Sequence, residues 1–299
     1  MHGGHHEYRH GGDRAFAWSA GINLGFVLLQ AGFGLAANSL ALLSDAAHNL
    51  SDVAALLLAW WASRLGRRRP DERRTFGLGR ASILAALANG AALFVVVGAL
   101  ALEAGRRLLN PEPFAEGMVA LVAAAGILVN GGTALLFRHG AAHDLNQRGA
   151  WLHLMGDAAV SAGVVAAALG AWATGWIWLD PLCSLAVGTV IAWASWGLLR
   201  DALHLSLDGV PANLDTREVR AALAAIPGVS EVHDLHLWAL STTETALSAH
   251  LVQGAEANPG ALLRAAQAEA QRFGIGHATF QLEDAAFAEA CRLRSDEVA

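Results

Sequence analysis

Long apolar runs separated by short polar connections fill the first two thirds of the chain, and a finer alternation of apolar and polar positions fills the rest. The runs cover residues of about 15 to 36, 40 to 63, 81 to 102, 114 to 137, 149 to 174 and 177 to 200. Each is near the roughly 20 residues that a helix needs to cross a bilayer. The pattern therefore predicts six membrane spans, with Ala-Asn-Ser closing a hairpin between the first two and a tight turn at Thr174 and Gly175 between the last two. After Asp208-Gly209-Val210-Pro211, Thr216 to Ile226 has helical periodicity and Pro227-Gly228 ends it. Val232 to Leu240 and Glu244 to Val252 alternate as strands around a hairpin turn at Ser241 to Thr243. Asn258-Pro259 caps a helix running from about 260 to 273, and a third strand covers about 278 to 283. The order α-β-β-α-β predicts a small α+β, ferredoxin-like domain. The chain thus divides into a flexible His-rich start (1–13), an all-α six-helix membrane bundle (14–207), a soluble domain (208–286) and a tail (287–299).

Composition supports the membrane reading, because 55% hydrophobic and 15% charged residues are poor values for a soluble protein. Arg67, Arg68, Arg69, Arg73 and Arg74 lie between the second and third spans, whereas the connections after the first and fifth have no Arg or Lys. The excess of positive charge in cytoplasmic loops then places that loop, the Arg138 to Arg148 loop and both termini in the cytoplasm. Arg106 and Arg107 fall on the other side and read as helix-end side chains reaching for the interface. Trp60, Trp61, Trp176 and Trp178 lie near span ends, where indoles favour the headgroup region. From residue 208 on, six arginines stand against thirteen acidic residues, a net of −7 that excludes nucleic acid as a partner and suits cations. Cys183 and Cys291 are too few and too differently placed for a disulfide framework or a Cys-based zinc finger. The start of the chain lacks the apolar core of a signal peptide, so it is expected to stay in the mature protein.

Within the spans one spacing occurs twice: His48-Asn-Leu-Ser-Asp52 and His153-Leu-Met-Gly-Asp157. Residues i and i+4 share a helix face, so each segment presents an imidazole beside a carboxylate. Ionisable groups at membrane depth are costly and mark ion pathways. Two such helices facing one another make a cage of two nitrogens and two oxygens, which suits tetrahedral Zn²⁺ and disfavours Mg²⁺ and Ca²⁺. The expected activity is export of a divalent metal, Zn²⁺ first and Cd²⁺, Co²⁺ or Ni²⁺ next, in exchange for protons. Metal and protons compete for the same side chains, which makes antiport the natural consequence. Asp45 lies one turn before His48 but has no counterpart before His153, where Ala150 stands, so a role near the helix start is expected of it. Asn23, Gln30 and Asn38 are read as hydrogen-bonding between helices. In the soluble domain, His233 and His236 are three apart on a strand and should face opposite ways. His277 and Glu283 are separated by roughly 20 Å along a straight strand. The N-terminal histidines offer a capture site or a plain flexible tail.

Several stretches together resemble the cation diffusion facilitator family, in its zinc and cadmium branch: Leu42 to Asp52, Thr75-Phe-Gly-Leu-Gly-Arg80, His153 to Asp157, Asp180-Pro181 and Val232-His-Asp-Leu-His-Leu-Trp238. The resemblance implies a homodimeric metal/proton antiporter in which His48, Asp52, His153 and Asp157 form the transport site. It also implies a cytoplasmic-domain metal site at His233, His250, His277 and Glu283. The loop after the second span has Asp71 but no histidine for the additional site of some relatives. With only His139 and His143 after the fourth span, the chain looks bacterial, which implies an inner-membrane location. A membrane zinc hydrolase is the first rival, disfavoured because no His-Glu-x-x-His occurs and four protein ligands leave no place for an activating water. The second is a metal sensor that its helices merely anchor, for which His153 and Asp157 have no use. On the favoured reading the chain is not an enzyme.

Overall fold

The computed structural model describes residues 7–66, 68–138 and 145–291. The N-terminal histidine and Arg148 side chains, Arg67, His139, His143 and the end of the tail lie outside what is described. Six long helices come first: α1 (Glu7–Ala36), α2 (Leu40–Gly66), α3 (Ala81–Leu109), α4 (Glu116–Phe137), α5 (Leu145–Thr174) and α6 (Leu179–Ser206). Among the described residues, four stretches are long and apolar enough to cross a membrane: Ala81–Leu109, Glu116–Leu135, Trp151–Thr174 and Leu179–Ser206. The described apolar part of α1, Gly21–Ala36, is shorter. Polarity is inverted relative to a soluble bundle. Leu102, Leu128 and Trp193 are 76%, 76% and 82% exposed, while Gln30, Asp45, Asp157 and Ser161 are buried. A bilayer favours that arrangement because it solvates the apolar exterior and leaves polar side chains to satisfy one another inside.

The chain separates into two compact units, one of residues up to Leu57 with Asn89–Gly197, the other of Leu58–Ala88 with the chain from Leu198. In the first unit, the α1–α2 turn is fixed by polar contacts. Asn38 adopts φ +55°, a left-handed conformation that Asn tolerates. Arg107 at the end of α3 donates to the Asn38 carbonyl and Oδ1, both at 2.8 Å, and pairs with Glu103 at 3.2 Å. Arg107 is therefore engaged with the protein; of the two arginines expected to reach outward, Arg106 alone is largely exposed. The start of α2 is capped twice over. Ser39 Oγ accepts from Leu42 N at 3.2 Å and donates to Asp180 of α6, whose Oδ2 accepts from Leu40 N at 2.7 Å. This gives the Asp180-Pro181 stretch a structural role: one buried carboxylate lies at the N-terminal ends of two helices, where their dipoles favour it. Gly175 turns the chain between α5 and α6 with φ +72°, as the sequence predicts.

In the second unit, α7 (Thr216–Ala224) leads to β1 (Val229–Ala239), β2 (Thr245–Gln253), α8 (Pro259–Arg272), β3 (His277–Glu283) and α9 (Ala285–Ala290). Strands β1 and β2 are antiparallel, β2 and β3 parallel, in the order β1-β2-β3. Leu235, Leu237, Leu247 and Leu251 on one sheet face pack with Val219 and Leu223 of α7 and Leu262 and Ala266 of α8. The expected caps form, with Asn258 Oδ1 accepting from Ala261 N at 3.0 Å. The other sheet face is polar and holds His233, Ser248 and His250. The α2–α3 connection belongs to this unit: Ser82 Oγ accepts from Thr242 N at 3.0 Å, and Arg80 pairs with Asp208.

Candidate functional site

Helices α2 and α5 run antiparallel along one shared face, and their i, i+4 stripes meet rung by rung. His153 Nε2 lies 3.4 Å from Asp52 Oδ2, and His48 Nε2 lies 3.7 Å from Asp157 Oδ1. Within each helix, His48 Nε2 is 3.7 Å from Asp52 Oδ2 and His153 Nε2 is 3.6 Å from Asp157 Oδ2. The imidazole rings stand edge to face with centroids 6.1 Å apart. A tetrahedral zinc with ligand bonds near 2.0–2.2 Å needs ligand atoms about 3.4 Å apart. The four side chains predicted from spacing are thus brought together at nearly that separation. Asp52 Oδ2 is buried without a hydrogen bond among the described residues, although two imidazole nitrogens face it. Atoms arranged this way converge on a common point rather than on one another.

One turn further along the same face stands a third rung that spacing alone did not reveal. Asp45 is fully buried; its Oδ2 accepts from Gln30 Nε2 of α1 at 2.7 Å and from Ser161 Oγ of α5 at 3.0 Å. Asn49 Nδ2 adds a longer contact to Oδ1 at 3.3 Å. Gln30 does hydrogen-bond between helices, as expected. Asp45 does more than serve the start of its helix. The missing signal was Ser161, which extends the stripe His153, Asp157 at the same four-residue spacing.

A second cluster lies on the polar face of the sheet. His233 Nε2 is 3.2 Å from Glu283 Oε2, and His250 Nδ1 is 2.9 Å from Glu283 Oε1 and 3.8 Å from Cys291 Sγ. Ligand atoms of His233, His250, Glu283 and Cys291 all lie within 4.8 Å of one another. Both ring nitrogens of His233 and Glu283 Oε2 are buried without a hydrogen bond among the described residues. The remaining imidazole nitrogens face further carboxylates: His250 Nε2 is 3.5 Å from Asp234 Oδ2, and His233 Nδ1 is 3.6 Å from Glu231 Oε1. Such outer carboxylates fix the ring orientation of metal-binding histidines. Two nitrogens, one oxygen and one sulfur make a donor set that fits Zn²⁺.

His277 is not brought to this cluster. It pairs with Ala246 at the opposite end of β3 from Glu283, and its ring meets Phe76 edge to face at 5.3 Å. An extended strand separates its ends, which is why six residues cannot be spanned by side chains. Cys291 takes the nearby position instead, because Asp284 caps the short α9 and returns the chain past His250. A further correction concerns His233 and His236. Asp234 adopts φ +49°, and a bulge sets two residues of β1, Asp234 and Leu235, against one of β2, Ala249, so the two histidines share a face. They still belong to different environments, since His236 is exposed and bonds Asp234 Oδ1 at 2.9 Å.

An apolar-outside helical region with an imidazole and carboxylate cluster inside, followed by an α+β domain with a second cluster of zinc-type donors, points to a membrane protein with sites suited to metal cations. Comparison with known families agrees: residues 17–205 match the cation efflux transmembrane domain and residues 211–285 the cation efflux protein cytoplasmic domain. The chain belongs to the cation efflux family. It is an integral membrane protein of a transporter family and not an enzyme. It is similar to the metal cation efflux system protein CzcD of Cupriavidus metallidurans, with 35% identity over 95% of this chain and 90% of that one. It is also similar to the zinc transporter ZitB of Escherichia coli, with 37% identity over 90% and 87% of the two chains. A cadmium, cobalt and zinc/H(+)-K(+) antiporter of Bacillus subtilis is 34% identical over 87% and 85%.

Proposed function

We propose that this chain exports Zn²⁺ from the cytoplasm in exchange for protons, with His48, Asp52, His153 and Asp157 binding the cation in transit. The observation that carries this reading is the pair of α2–α5 rungs, whose nitrogen and oxygen atoms stand 3.4–3.7 Å apart inside the helical region. The chemistry of exchange lies in the donors. Zinc needs neutral imidazoles and ionised carboxylates, so a proton arriving at Nε2 of His48 or His153 removes a ligand and releases the cation. The two carboxylates offset the divalent charge at a depth where unpaired ions are costly. The names of the relatives, which include a zinc transporter and a cadmium, cobalt and zinc/H(+)-K(+) antiporter, support the same reading, with Cd²⁺ and Co²⁺ as further cargo; Ni²⁺ enters only because it accepts the same nitrogen and oxygen donors.

On this reading α1 to α6 all span the bilayer, within a transport domain of residues 14–207. Both termini and the arginine-rich α2–α3 connection lie in the cytoplasm of a bacterial inner membrane. The α+β domain of residues 208–286 is a ferredoxin-like module that joins two copies of the chain, and its His233, His250, Glu283 and Cys291 hold a regulatory Zn²⁺.

Proteoliposomes test the proposal directly. Asp157→Ala should abolish zinc flux driven by a pH gradient, measured with a zinc-sensitive dye in the lumen. Wild-type flux in that variant would sink the site assignment. Zinc binding without any flux in the wild type would favour a membrane-anchored sensor.

A further inference from the structure

The rungs between α2 and α5 do not end at the four proposed ligands. Asp45 precedes His48 by three residues and Ser161 follows Asp157 by four, so the antiparallel pair is joined by a third rung, a hydrogen bond of 3.0 Å. The first two rungs have metal-ligand spacing. The third is of a different kind. Among the described residues, Asp45 is bonded by Gln30 Nε2 at 2.7 Å, Ser161 Oγ, and Asn49 Nδ2 at 3.3 Å. A fully buried side chain bonded to three helices at once leaves little freedom to the helix that carries it. Room for this contact comes from α4, where a side chain on Gly126 would stand 2.9 Å from Ser161 Oγ.

We propose that Asp45 is a positioning residue for the transport site, a buried hydrogen-bonded tie from α2 to α1 and α5 that sets the register in which His48–Asp52 faces His153–Asp157. The titratable groups within its electrostatic reach are His48 on its own helix, Asp157 on α5 and Cys183 on α6; Gln30, its partner on α1, carries no charge. The inference rests on the transport-site reading.

Substitution can remove the ties together or one at a time. Asp45→Asn replaces one of the two acceptor oxygens by a donor and disturbs the bonds to Gln30, Ser161 and Asn49. Ser161→Ala removes the tie to α5 alone. Zinc flux in proteoliposomes at fixed pH should show the apparent KM rising about tenfold or more in Asp45→Asn, with maximal flux per folded protein within about twofold. Asp45→Glu should recover part of the lost affinity, and Ser161→Ala should raise KM by a smaller factor. A purely structural Asp45 would lower the yield of folded protein and leave KM unchanged; that result in Asp45→Asn overturns the proposal. If Asp45→Asn does not fold, an unchanged KM in Ser161→Ala overturns it instead. Asp157→Ala measured alongside separates the two levels: its failure to abolish flux rejects the transport site itself, whereas abolished flux with unaltered Asp45→Asn rejects Asp45 alone.

Discussion

Single side chains decide which donors meet in the α+β domain. Cys291 adds a sulfur to the two imidazoles and the carboxylate of His233, His250 and Glu283, and a softer donor set strengthens binding of zinc-like ions. His277 stands at the far end of its strand against Phe76 and supplies nothing to that cluster. Cys291→Ser should therefore weaken zinc binding to the domain by about tenfold or more, on the scale of what even outer partners of a metal site contribute. His277→Ala should leave the same affinity unchanged. Isothermal titration of the full chain in detergent, in an Asp157→Ala background that silences the other site, measures both. Equal losses in the two variants would refute the placement of Cys291 as a ligand. Resemblance to the family, and not spacing, pointed to His233, His250, His277 and Glu283, of which His277 stands apart. It missed Cys291 because the return of α9 past His250 depends on a short helix and its Asp284 cap, features too local to stand out in a tail.

Among the elements, α2 has the most demanding task, since it carries Asp45, His48 and Asp52 through an apolar region. Its N-terminal amides are satisfied by Ser39 and by Asp180 of α6, 140 residues away in sequence. Removing that carboxylate leaves the Leu40 amide buried without a partner. Asp180→Ala should lower stability by about 1–3 kcal/mol, the range spanned by a lost cap and an unsatisfied buried donor. Thermal unfolding in detergent would register the loss, while the zinc KM of the surviving folded protein should match wild type. A wild-type melting temperature would deny Asp180 its capping role. The Asp-Pro stretch was visible in the sequence as a motif, but its target was not, because the contact joins the starts of the second and sixth helices.

For the whole molecule, the proposed function couples cation movement to protons. Zinc needs two neutral imidazoles, so protons compete with it for the site, and the metal-bound form is favoured at higher pH and lost towards lower pH. The apparent affinity for zinc on the loading side should fall as pH drops, by up to about a hundredfold per unit when both imidazoles must deprotonate. Zinc uptake into inverted vesicles over a pH series checks this. An affinity that stays constant from about pH 7.5 to about pH 5.5 would exclude the two histidines as ligands.

Local periodicity and spacing suffice to read the long helices, the α-β-β-α-β order and the two His-x-x-x-Asp stripes, because helix and strand repeats are properties of neighbouring residues. Even the placement of His233 and His236 failed by this means alone, since a bulge at Asp234 inverts the facing that a regular strand would give. Tertiary structure decided which stripes face each other, that Asp45 bonds Gln30 and Ser161, that Asp180 caps α2, and that Cys291 rather than His277 joins the domain cluster. Partners such as Asp45 and Ser161, 116 residues apart, leave no trace in local pattern. Only the packing of whole helices against one another brings such groups within bonding distance, and there the cost of leaving a buried charge unpaired fixes where each must go.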